Sequence, residues 1–600
     1  MKRRSVILCM LFIVCITVIS CSSKNQNSQG DILDKEASEL SDSSLSQDEE
    51  DISTGNESDL LESEDEMNSN HDSEVSEENQ SIPQDDMLQL SDEKEEPENS
   101  IEELTEITKL NFLRSSDFQK KVLKRMEKKS VNTVYTKAYQ KAAFKELQQL
   151  KKKEYTFDSP LLIENPFGTI ENGMYFYYMS EEPCNVNYSV YVDHEAMQVF
   201  RAQLYSDDKN QPVTEHEGTL IGLIPGVKNY IVLEEVDAND VVVNEKVYCI
   251  NLSNNEISGQ MLYLQDYNEL EQPEEFRQDF FMLFQNAEAE NGNIVLIDHH
   301  GVRRLTLLTD EAVNMDLNKI DDYLIYPKDS KKIVVIDRLG HASYIYSLGN
   351  YRYENGLVYN PSNGLVYMTA SDIQRESRSD LVLSLNLSNG EIKEVIDFTV
   401  ELSELLQLEE SFTTDTKHWI ELNSIDLIND NKLLVSSKAM SSVFCISNLQ
   451  ENGVIDYIIS DQSNWENTSH AKFLYQSIGS FEAFINPNSM QVYFGDKRLI
   501  DGQYYIVMYD ANQRYYQVFV DENTQTFTLA NKLEFDNALS RGSVYVYEDS
   551  LIYMIDAIDD VAIFGEYTKD EKDSTIYTIE EDAKDYLKVE KNNFSGIWFN

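Results

Sequence analysis

Positive charge is scarce in this 600-residue chain: 50 lysines and arginines stand against 107 aspartates and glutamates, a formal net charge of −57. Nucleic-acid binding needs concentrated positive charge, so DNA and RNA are excluded as partners. Cysteine is also scarce. Cys9 and Cys15 lie in an N-terminal apolar run, and beyond Cys21 only Cys184, Cys249 and Cys445 remain. That odd set, at spacings that match no zinc site, excludes a disulfide framework and predicts buried thiols without metal or cofactor. No glycine-rich phosphate loop and no Ser-His-Asp arrangement is visible. Aromatic residues are missing from Ser22 to Asn111.

What is present begins at the N-terminus. Lys2, Arg3 and Arg4 precede an apolar run from Val6 to Ile19, too short and wrongly flanked to be taken first as a membrane span. It ends in Val18-Ile19-Ser20-Cys21, which resembles the lipobox of bacterial lipoproteins. An ordinary secretory signal is the alternative, but no small-x-small cleavage site competes. The expectation is a signal peptide over 1–20 and lipid on Cys21, anchoring the chain to the extracytoplasmic face of the cell membrane. Two acyl chains suffice for stable anchoring where one is marginal.

Residues 21–100 are mainly serine, asparagine, glutamine and acid, with too little apolar surface to offset the entropy of ordering the backbone. They predict a disordered acidic stalk extended by self-repulsion. A calcium-collecting tail has no ligand spacing to support it. Residues 101–153 predict a helical segment running from Glu102 to Lys153 and broken at Ser130–Thr133, glutamate-rich at its start and lysine-rich at its end. Its lysines predict a solvated face, with anionic lipid or the stalk as alternative contacts.

Past Tyr155 alternating strands take over. Segments 173–178, 186–192, 230–235 and 241–252, separated by turn signals such as Pro225-Gly226, predict a β-sandwich over 154–255. Short strands continue to the end, at 293–298, 324–326, 333–337, 357–369, 381–387, 433–437 and 504–510. Some strands end in Asp with a glycine soon after, as in Asp298-His-His-Gly301 and Asp337-Arg-Leu-Gly340. Radial repetition of four-stranded sheets accounts for such a run, predicting a six-bladed β-propeller over 256–600. The fold class is therefore all-β: sandwich then propeller, preceded by a helical segment and the stalk.

Tyr155-Thr-Phe-Asp-Ser-Pro160, Asn165-Pro-Phe-Gly-Thr169, His216 and Leu223-Ile-Pro-Gly226 resemble the N-terminal domain of bacterial aryl-sulfate sulfotransferases. The likeness continues through Asp337–Gly340, Trp419–Ser424, Ser436-Ser-Lys438, Asn464-Trp465 and Tyr586–Phe599. It implies a β-sandwich before a six-bladed propeller. It also implies sulfuryl transfer between phenols through a transiently sulfated histidine, with further histidines and an arginine holding the sulfate oxygens. Positive donors are needed because the transition state spreads negative charge.

The chain departs from that pattern where the chemistry would occur. Asn488 stands where the resemblance places the nucleophilic histidine, Glu421 replaces a histidine, and Glu354-Asn355-Gly356 replaces His-His-Asp. Lys438 replaces arginine, keeping the charge but losing the planar fork. His418 is expected to face away from position 421 if both lie on one strand. His71, His194, His216, His299, His300, His341 and His470 fall in stalk, sandwich, turns or a loop. The expectation is a catalytically degenerate family member. An active aryl sulfotransferase acting on phenols remains one alternative. The other is a propeller that binds a sugar, a peptide or a cationic ligand in its channel.

Overall fold

The computed structural model describes residues 107–109, 112–192, 197–206, 211–252, 263–266, 278–285, 292–311, 313–314, 316–407, 417–495, 498–535, 538–548, 550–557, 561–568, 575–579 and 586–599. The expected signal peptide, Cys21 and the acidic stalk lie outside them. Where the sequence predicts helix from Glu102, the described chain opens with a short strand, Ile107–Lys109, paired in parallel with Val247–Cys249. Two helices follow, α1 (Ser115–Arg125) and α2 (Lys137–Leu150). The break is longer than the polar run at 130–133 predicts. Glu127 adopts a left-handed conformation (φ 56°) that ends α1, and the Thr136 hydroxyl caps α2 by accepting from the Tyr139 N–H.

The spine of the N-terminal unit is one long strand, Met174–Val192. Its first half pairs with Leu161–Glu164 and Val213–Leu220, its second with Phe200–Gln203 and Lys228–Val236. The register breaks between Met179 and Cys184, so the strand passes from one sheet into the next. Side-chain alternation explains why Met174–Tyr178 is buried throughout. Tyr175 and Tyr177 meet Phe118, Val122, Tyr139 and Leu147 of the helices, while Met174, Phe176 and Tyr178 enter the main core. At about 1.5–3 kcal/mol for each large apolar side chain buried, these contacts hold the helical pair on the sheet.

Six further sheets follow. Each places one inner strand beside a shared cavity: Asn318–Ile320, Tyr351–Asn360, Leu422–Asn429, Ser489–Tyr493, Ala538–Tyr547 and Tyr586–Asn593. Three antiparallel strands lie outward of each, and in three of the six a further short strand is added at the outer edge. The ring closes twice. The chain's last strand, Tyr586–Asn593, is the inner strand of the first blade and pairs with Asp279–Gln285. The early strand Tyr263–Asp266 is the outermost strand of the last blade, against Thr575–Ile579. The expected strand 357–369 is in fact two, Tyr351–Asn360 and Leu365–Asp372, folded about a turn in which Gly364 takes φ 69°.

The recurrent Asp before a hairpin turn has a structural role. Asp298 Oδ1 accepts from the His300 and Val302 N–H groups, and Asp337 Oδ1 accepts from Leu339 and His341. Gly301 and Gly340 supply the left-handed position, at φ 74° and 80°. Asp510 makes the same turn with Gln513 in that position. Sandwich and propeller share one core, in which Phe200 packs on Phe280 and Phe599. Arg304, fully buried, joins Asp298 to the carbonyls of Gly222 and Gln198 across the same junction.

Candidate functional site in the propeller channel

The inner strand of a propeller blade leaves one edge unpaired at the axis, so its N–H and C=O groups need partners from elsewhere. Polar side chains of each blade supply them to the next. Asn318 accepts from the Tyr359 N–H and donates to the Leu357 carbonyl; Asp316 accepts from the Leu357 N–H. Asp426 accepts from Val492 at 2.7 Å. Ser489 accepts from Val544, Gln491 holds both backbone groups of Val546, and Ser543 accepts from Val589. The channel wall is thus stitched by asparagine, glutamine, serine and aspartate, which is why these residues interrupt apolar inner strands.

The space they enclose is a cavity of about 250 Å³, lined by residues of all six blades. Asn355, Lys438 and Asn488, far apart in sequence, all line it. Both asparagines are engaged. The Asn355 amide donates to the Leu422 carbonyl at 3.0 Å, and the Asn488 amide to the Gly542 carbonyl at 2.9 Å. Lys438 presents an ammonium that meets no hydrogen-bond or ion-pair partner among the described residues. Burial holds it below the usual lysine range, with Glu421 opposing the shift.

Glu421 and Glu354 do not line the cavity. The Glu354 carboxylate accepts from the Ser371 hydroxyl in the wall of its blade. Glu421 is not on a strand: it precedes Leu422–Asn429 in a left-handed conformation (φ 50°), and its backbone carbonyl accepts from the Lys438 N–H. The premise that His418 and Glu421 share a strand is therefore corrected, since residues 417–420 are turn and bend. No described histidine lines the cavity.

Four charged residues that the sequence reading missed converge instead. The Lys588 ammonium lies 3.2 Å from Asp316 and 2.6 Å from Glu590. Burial opposes its charge, but the two carboxylates outweigh that and hold it above the ordinary lysine range. Burial pushes the Glu590 carboxyl up to about 7; Lys588 opposes the rise, and Asp316 and Asp426 add to it. Burial likewise pushes Asp426 up to about 6, against the backbone N–H groups of Val492 and Leu427. A signal existed: Lys588 and Glu590 alternate on one strand, and Asp426 sits among Ile425, Leu427 and Ile428. It becomes informative only once those strands are known to be innermost.

A second pair of reactive types lies in the sandwich, beside a cavity of about 480 Å³ that Arg338 of the propeller helps to line. Cys184 Sγ is 3.4 Å from His216 Nε2, and the imidazole stacks on Tyr178. Burial pushes the thiol up to about 11 and the imidazole down to about 4, so both are neutral. Cys184, Cys249 and Cys445 are free cysteines.

Fold and channel together define a six-bladed β-propeller protein whose axial cavity is polar and carries more carboxylate than ammonium. The family model described as Arylsulfotransferase (ASST) matches residues 266–551, a stretch that lies within the propeller. Over that stretch the chain matches the arylsulfotransferase family. Among solved structures it is similar to TolB from Acinetobacter baumannii, at 10% identity over 60% of this chain and 78% of that one, with a TM-score of 0.31. Hsv2 from Kluyveromyces lactis matches at 8% identity over 61% and 96%, with a TM-score of 0.27. No curated relative matches the chain.

Proposed function

We propose that this arylsulfotransferase-family protein is an extracytoplasmic lipoprotein that does not transfer sulfuryl groups, and that its channel holds a small neutral or cationic ligand. The composition of the cavity lining carries the reading. Among the described residues it contains no histidine to serve as nucleophile, and it holds Asp316, Asp426 and Glu590 against Lys588 and Lys438. A carboxylate about 4 Å from a sulfate oxyanion opposes it by about 4 kcal/mol at an effective dielectric of 20, about three powers of ten in rate. Asparagine forms no covalent sulfuryl intermediate, and the Asn488 amide is already bonded to the neighbouring blade. A neutral polyol or an ammonium meets no such repulsion.

Lys438 favours the second reading, an active aryl sulfotransferase, because an unpaired ammonium in a cavity suits an anion. One assay separates the two. Protein given 4-nitrophenyl sulfate and phenol is expected to release no nitrophenolate above a heat-killed control; release abolished by Lys438→Gln would establish the enzyme. The anchor has its own test. A clickable fatty acid is expected to label the wild type and not Cys21→Ala, and equal labelling of both would refute it.

A further inference from the structure

Helices α1 and α2 carry charge unlike the rest of the chain. From Ile107 to Lys153 there are fourteen lysines and arginines and three acidic residues, within a protein of net charge −57. Elsewhere several lysines each bridge two carboxylates: Lys432 bridges Asp456 and Glu522, Lys532 bridges Glu482 and Glu534, and Lys591 bridges Asp279 and Glu566. On the helical pair nine exposed lysines make no ion pair among the described residues.

Their placement is regular. Lys121 and Lys124 lie one turn apart on α1, and Lys137, Lys141 and Lys145 follow one another at four-residue spacing along α2. Both helices bury their opposite faces in one cluster, through Phe118 and Val122, and through Tyr139, Ala143 and Leu147. Both rows therefore lie away from that shared cluster. Phe144, between Lys141 and Lys145, is 39% exposed. Like charges at this spacing repel and weaken an isolated helix, so an unpaired row of this kind calls for an external counter-charge.

We propose that the outward face of α1 and α2 docks onto a bilayer carrying anionic lipid headgroups, turning the folded part of the chain face-on to the membrane. That it is the membrane bearing Cys21 rests on the proposed function; docking itself does not. Each lysine close to such a surface contributes about 1 kcal/mol, roughly fivefold in affinity, and only within a Debye length of about 8 Å at physiological salt. The acidity of the remaining fold makes every other orientation repulsive at short range. A tether raises the local concentration of the face at the bilayer, so docking can be weak and still act.

The test uses the chain from Ser22 to Asn600 without lipid, which retains every described residue, so failure of the anchor reading leaves its outcome untouched. The protein is sedimented with vesicles of phosphatidylcholine alone, or containing about one third phosphatidylglycerol, at low salt and at about 0.5 M salt. Binding is expected only to the anionic vesicles and to fall at least tenfold at high salt. The variant K121Q/K124Q/K141Q/K145Q is expected to lose roughly several hundredfold in affinity with unchanged circular dichroism and melting. Equal binding to neutral vesicles, a variant that binds like wild type, or binding to soluble polyphosphate without binding to vesicles overturns the proposal.

Discussion

Replacing Glu590 with glutamine should change how the stability of this protein depends on pH. Three channel carboxylates, Asp316, Asp426 and Glu590, share the ammonium of Lys588, and burial pushes Glu590 up to about 7 from its ordinary 4.5. An acid whose folded-state value lies above its unfolded one takes up a proton on folding. The stabilisation linked to it is present in full below the ordinary carboxylate range and is lost as pH rises through about 7. One unit corresponds to about 1.4 kcal/mol, so a rise of two to three units is worth about 3 kcal/mol. That quantity belongs to the cluster, because Asp426 titrates within it. The assay is urea unfolding of wild type and Glu590→Gln between pH 5 and 8. The high net charge weakens both proteins alike as pH rises, so the difference between them is the readout. Part of the linked stabilisation is already lost at pH 5, so the variant is expected to gain about 2 to 3 kcal/mol on wild type between the two extremes of that range. Parallel curves would show that the three carboxylates do not share one field, and the account of the channel would fail.

Arg304→Met should cost about 3–5 kcal/mol and open the sandwich–propeller junction to proteolysis, because it leaves Asp298 buried without its cation; a change below about 1 kcal/mol would show that this ion pair does not hold the junction. Burial pushes the Cys184 thiol up to about 11, so a disulfide reagent at pH 8 should label it slowly in the native state and fully in urea; native labelling at the unfolded rate would contradict the neutral Cys184–His216 pair.

The fold class was legible because it depends on local pattern. Alternation marked Met174–Tyr178 and Val186–Val192 as strand, and Asp-x-x-Gly marked the hairpins at Asp298 and Asp337. Errors arose where pairing across the fold decides the outcome. Ile107–Lys109 lies in a segment whose composition favours helix, yet it finishes a sheet edge beside Val247–Cys249. Nor does any local signal announce that Tyr263–Asp266 joins the last blade while Tyr586–Asn593 completes the first. Closure of a ring is a property of the whole chain.

The channel separates two kinds of information that a single sequence mixes. The likeness to a catalytic family picked out Asn355, Lys438 and Asn488, which line one cavity, and Glu354 and Glu421, which do not. It could not say what those side chains do there. The amides of Asn355 and Asn488 now bind backbone carbonyls of the next blade, as Ser489, Gln491 and Ser543 bind backbone groups further along the same wall. An asparagine that closes a blade junction cannot also turn its amide to a ligand without leaving a carbonyl unpaired, at a cost of about 1–3 kcal/mol. Returning histidine to position 488 would therefore remove a structural bond before it supplied a nucleophile. The ammonium of Lys438 is under no such obligation. Among the charged described residues that line this channel, Lys438 is the one without a hydrogen-bond or ion-pair partner, and the carboxylates around Lys588 set the surrounding field against a sulfate.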